Sequence, residues 1–160
     1  LMLLKEFQRL KEIENNHYNI EWNTKRFLSK VNYHIQTDAV EKHIIPESTL
    51  SKEREWIHYA EEADLLNVAL FGCTAKQWRD ANKELASKNN NIRDFASINE
   101  LAVLANLESL NSEFIKLKLN KEKRFEKLYE VAKYQLQILN DKDVIRSIKR
   151  DSEDTYLPKK

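Results

Sequence analysis

Glycine is almost missing from this 160-residue sequence, occurring once at Gly72, and proline occurs only at Pro46 and Pro158. Average usage is roughly 7% and 5%, so the punctuation that hairpins and bulges need is absent, which argues against a sheet protein. A single glycine also excludes glycine-rich phosphate loops and dinucleotide fingerprints, which need several. Cysteine is likewise single, at Cys73, and cannot close an intramolecular disulfide. Nothing near Leu1 combines a basic region, an apolar core and a cleavage site, and a reducing, cytoplasmic setting is expected. No apolar run approaches the roughly 20 residues of a membrane span. A strong charge of either sign is missing too: 27 Lys and Arg stand against 26 Asp and Glu, so no global field draws the chain toward nucleic acid or lipid headgroups.

What is present is amphipathic. Charged residues make up 33% and hydrophobic ones 41%, a balance too apolar for disorder. Leu3, Leu4, Phe7, Leu10 and Ile13 recur at helical spacing with Lys5, Glu6, Gln8, Arg9 and Glu12 between them, which predicts an opening helix. Residues 1–16 are expected to project or to pair with a partner. A second segment sets Trp22, Phe27, Leu28, Val31 and Ile35 on one side, with a bend near Gln36 or Thr37 and a capped continuation ending at Pro46. From Ser51 a helical pattern runs through Trp56, Ile57, Ala60 and Ala63 to Phe71, where Gly72 closes it in the left-handed conformation.

Thr74 and Gln77 fit a capping box, with Cys73 stapled onto Trp78. One helix is predicted from there through Ala81 and Leu85 into a polar turn at 87–91, where asparagine tolerates positive φ. Ser97 and Glu100 make a second capping box before a helix carrying Leu101, Leu104, Leu107, Leu110 and Phe114. Asn120 caps another with Phe125, Leu128, Ala132, Leu136 and Leu139; a short last helix holds Val144, Ile145 and Ile148. The segment 151–160 is polar and expected to fray. Short connections favour antiparallel neighbours, so the fold expected is all-α, a compact bundle of six or seven helices forming one domain over 1–150. Trp22, Trp56 and Trp78 read as core residues.

Chemistry is sparse. Glu55 and His58 have the spacing that places a carboxylate and an imidazole on one helical face, as di-iron carboxylate sites require, but no second such pair exists among His17, His34 and His43. A solvated helical pair is the simpler reading, for His34 and Asp38 as well. Cys73, at a helix start, has one feature of an activated thiol; local packing on Trp78 accounts for it with fewer requirements. No catalytic residue, cofactor, metal or small-molecule substrate is expected. The most basic stretch holds Lys116, Lys118, Lys121, Lys123, Arg124, Lys127 and Lys133 against Glu122, Glu126 and Glu130. Phosphates could be met there, although alternating charge at this spacing is also what a solvated helix displays.

Several long strings are familiar in order: LLKEFQRLKE, HIQTDAVEKHIIP from His34 to Pro46, EEADLLNVALFG, ALFGCTAKQWRDAN from Ala69 to Asn82, NNIRDFASINELAVLANLESLNSEFI from Asn90 to Ile115, and KRFEKLYEVAKYQLQIL. Together they resemble the C-terminal region of KilA-N domain proteins of bacteria and their phages, over about Leu3 to Leu139. In that family a KilA-N module regarded as DNA-binding precedes the similar region. That module is not in this sequence, which opens with Leu1; a fragment of something longer and a natural short protein both stand open. The resemblance implies DNA binding by the parent protein through that module and brings no catalytic residues. The family tends to have glycine where this chain has Asn90, a swap that turn geometry accepts.

The function expected is therefore that of a non-enzymatic helical accessory domain, supporting oligomerisation or partner binding in a phage-related DNA-binding protein. A homodimer through Leu3, Leu4, Phe7 and Leu10 is the contact to look for first, against intramolecular packing of the same stripe. The alternatives are a helical enzyme or metal-binding effector built around Glu55 and His58, and direct nucleic-acid binding by the basic helix.

Overall fold

Helix ends leave backbone groups without intrahelical partners, and the side chains that satisfy them mark most boundaries in this chain. The structure, a computed structural model, describes the backbone of residues 2–142 and the side chains within it other than those of residues 2, 14–26, 28 and 142. Every regular element among them is helical: α1 (Met2–His43), α2 (Trp56–Phe71), α3 (Ala75–Ala81), α4 (Lys83–Ser87), α5 (Ile98–Lys116) and α6 (Lys121–Lys142), with 3-10 turns at Ile45–Glu47, Lys52–Arg54 and Ile92–Phe95. The expected all-α bundle is what forms. The helix anticipated around Val144, Ile145 and Ile148, and the tail 151–160, lie outside the described residues.

Both capping boxes are made. The Thr74 hydroxyl accepts from the Gln77 amide at 3.1 Å while the Gln77 side chain accepts from the Thr74 amide at 2.9 Å. Ser97 and Glu100 do the same before α5, at 3.1 and 2.9 Å, and Asn120 accepts from the Lys123 amide at 2.9 Å. Asn91 caps the turn at Ile92–Phe95 with help from Asp94, and positive φ in the polar turn falls on Asn89. Gly72 ends α2 at φ 77°, its amide donating to the Val68 carbonyl at 3.0 Å. A Cβ added there would meet nothing within 4 Å. Gly72→Ala should therefore lose only the backbone term, about 1 kcal/mol in urea unfolding.

Four local expectations are corrected. No bend occurs near Gln36 or Thr37: the Thr37 hydroxyl donates to the His34 carbonyl at 3.1 Å, Gln36 is buried, and α1 runs unbroken for 42 residues. The helix that begins after Thr74 does break, at Asn82, whose side-chain amide donates to the Trp78 carbonyl at 2.8 Å while its own backbone leaves helical geometry. Such local bonds are how asparagine competes with helix continuation. Ser51 makes no side-chain cap bond, and a 3-10 turn precedes α2. Trp56, expected in the core, is 65% exposed. Trp78 is half-buried against the Phe95 ring, centroids 5.7 Å apart; the side chain of Trp22 is outside the described set.

The main core joins α2, α5 and α6 through Leu66, Ala69, Val103, Leu104, Leu107, Leu128 and Ala132. Asn99 to Asn140 and Asn106 to Gln135 hydrogen bonds, both 2.9 Å, show α5 and α6 antiparallel. A smaller cluster of Ala39, Val40 and Ile115 joins the end of α1 to the end of α5. Arg93 reaches Ser29 just before α5 begins, and Lys118 reaches the His43 carbonyl just after it ends. Residues 29–43 thus lie alongside α5 in the same direction, and the earlier part of α1 continues past the point where α5 starts.

Candidate functional site

At 1.5 Å per residue, the part of α1 before Ser29 is about 40 Å long. Each of residues 3–13 on it is exposed. Leu3 is 88% exposed, Leu4 65%, Phe7 60%, Leu10 50% and Ile13 44%, so the stripe expected as a contact surface is uncovered by the described body. Nearer the body Phe27 and Val31 are exposed as well. Leu3, Leu10 and Val31 are separated by multiples of seven, and so are Ile13 and Phe27. Ile13 follows Leu10 by three and Val31 follows Phe27 by four. That is the a/d spacing of a seam between two helices, with Glu6, His17, Ile20 and Thr24 at the intervening positions. Scattered exposed apolar residues are ordinary; a row of them marks an interaction surface.

The basic stretch is arranged differently from its sequence pattern. Arg124, expected on a charged face, is 4% exposed. Its guanidinium donates to both Glu62 carboxylate oxygens at 2.5 and 2.8 Å, to the Asn111 side-chain oxygen at 2.9 Å and to the Leu119 carbonyl at 3.1 Å. Asn111 in turn donates to Glu62 at 2.9 Å. This bidentate pair ties α2, α5 and α6 together in the core and is withdrawn from any phosphate. Lys116 pairs with Glu113, Lys118 with Glu47, and Lys121 with Glu61. Neutralised locally, these lysines offer phosphates little uncompensated charge; Lys123 and Lys127 are exposed on the same helix.

A second buried carboxylate was not anticipated. Glu108 is 2% exposed; its nearest cation is Arg93, 3.5 Å away, and its Oε2 finds no hydrogen-bond partner among the described residues. Burial pushes its pKa from 4.5 to about 7, Arg93 pulling the other way. Because the folded value lies above the unfolded one, the native state holds this proton more tightly. Its stability is undiminished below the unfolded value and falls as pH rises toward and through about 7. The full effect is of order 3 kcal/mol.

His58 does not meet a metal cluster. Its Nε2 is 2.5 Å from the Ser48 hydroxyl, which also accepts from the Leu50 amide at 3.1 Å. The contact closes the loop before α2 onto that helix. No group of three or more potential ligands stands together among the described residues. Asp38, paired in expectation with His34, is bridged instead to Lys42 at 3.0 Å. Cys73 is half-buried and unbonded to another cysteine. Burial raises the Tyr59 pKa, with Glu41 and Glu55 adding to it.

No protein-family model, curated protein or solved structure matches this chain. What the arrangement can do must be read from its surfaces. Among the described residues no helix is long and apolar enough to cross a membrane.

Sequence reading missed Glu62 and Glu108 as buried acids, yet a signal was there for the partner of Glu62. Arg124 falls in one row with Leu128 and Ala132, four residues apart each time, and both of those are fully buried.

Proposed function

We propose that this chain is a non-enzymatic association module whose extended first helix pairs with a second copy, the accessory part of a KilA-N-type DNA-binding protein. The observation that carries the reading is the exposure of Leu3, Leu10, Ile13, Phe27 and Val31, which share the a/d positions of α1. A heptad seam is complementary to another helix of the same repeat, and closed pairs of identical chains are the commonest assemblies. The resemblance to the KilA-N C-terminal region supports the biological setting. Two DNA-binding modules joined through such a pair act at a high effective concentration, which raises affinity without new base contacts.

The full chain is expected to be a dimer by light scattering across the micromolar range. Leu3→Glu, Phe7→Glu and Leu10→Glu together place like charges in the seam and on its flank, which costs several kcal/mol, so the dissociation constant should rise at least about 100-fold. Helical content and melting of the body should stay the same, since these side chains are exposed. A chain that is monomeric up to millimolar concentration would overturn the pairing.

A further inference from the structure

We propose that Glu108 is a proton-operated latch on α1, gripping the helix where it leaves the body when the carboxyl is protonated and easing that grip when it ionises. The seam between α1 and α5 has two unlike parts. At the far end it is apolar, made by Ala39, Val40 and Ile115. Toward the point of exit α1 presents Ser29, Asn32 and Gln36, on one helical face at i, i+3 and i+7, while α5 presents Glu108 and Ser112, both buried.

Hydrogen bonding in this polar part is incomplete in a particular way. The Ser112 hydroxyl donates to the Glu108 backbone carbonyl at 2.8 Å and is not available to the carboxylate. Arg93 donates to Ser29 at 2.9 Å but stands 3.5 Å from Glu108, long for a charge-assisted bond. Two buried oxygens, Gln36 Oε1 and Glu108 Oε2, lack a partner among the described residues. Both are acceptors. Protonated, Glu108 carries a donor and no buried charge; ionised, it leaves a buried charge whose nearest cation among the described residues, Arg93, stands 3.5 Å away.

Arg93 is the charged group whose field acts on this carboxyl. On α2, Glu62 is closed off by Arg124 and Asn111. Ser29, Asn32 and Gln36 of α1 do not titrate, and His34 and Asp38 are exposed. The apolar end keeps α1 attached throughout, so ionisation loosens the exit rather than releasing the helix.

The test is hydrogen exchange of the full chain, corrected for intrinsic rates, from about pH 5.5 to pH 8.5. Protection of the amides at 29–36 is expected to fall at least about tenfold over this range. Glu108→Gln should abolish the fall. Arg93→Gln should move it to higher pH, because the cation favouring the ionised form is gone. A fall that persists in Glu108→Gln, or protection at 29–36 that holds steady over this range, overturns the latch. Should either variant fail to fold, the carboxyl carbon resonance of Glu108 in the unaltered chain decides: titration near pH 7 is expected, and titration in the ordinary acidic range overturns it.

Discussion

Arg124→Ala is expected to destabilise the fold by about 3 to 5 kcal/mol, the usual consequence of removing one partner from a buried ion pair. Domains of this size have roughly 5 to 15 kcal/mol in total, so the variant should sit at or near the edge of folding. The cause is less the lost attraction than what remains. Glu62, 1% exposed, would keep a full charge with only the Asn111 amide to satisfy it, and the Leu119 carbonyl would lose its donor. Urea unfolding followed by circular dichroism gives the number. Replacing the trio by apolar residues of similar volume, Glu62→Leu with Arg124→Met and Asn111→Leu, should restore most of the loss, because buried pairs seldom outperform well-packed hydrocarbon. A single variant as stable as the parent would show that water reaches Glu62.

Leu107→Ala should cost about 2 to 5 kcal/mol. Leu107 is completely buried in the cluster that holds Leu104, Leu128 and Ala132, where α2, α5 and α6 meet, so its removal leaves a cavity that rigid neighbours cannot fill. The spread in cost reflects how far α6 can settle inward. Leu117→Ala is the control: that side chain is 69% exposed just after α5, and its loss should fall within about 0.5 kcal/mol. Equal effects at the two positions would mean that the packing assigned to α5 is wrong.

Local chemistry was legible. The boxes at Thr74 and Ser97, the cap at Asn120 and the stop at Gly72 each need only neighbours within a few positions, and sequence displays those directly. Non-local competition was not. Gln36 was read as a bend because nothing in its own segment shows that α5 will bury it and hold the helix straight. Asn82 went the other way, its amide bonding to the Trp78 carbonyl and ending α3 where periodicity would have continued. Arg124 looked like one cation among several because its acid lies 62 positions earlier. Trp56 was assigned to the core by its helical spacing, yet it is the first residue of α2 and its indole is 65% exposed. The stripe from Leu3 to Ile13 was readable as apolar; that the described body leaves it uncovered depends on where α5 begins.

The length of the first helix also sets an electrostatic distance. Its outer residues stand about 40 Å from the folded body, some five Debye lengths at physiological ionic strength. Events at the tip are consequently insulated from the body's ion pairs and answer chiefly to charges of the first helix itself, among them Lys5, Glu6, Arg9, Lys11 and Glu12. Altering the body's surface charge should leave encounter rates at the tip untouched, whereas changing a single one of those five should be felt.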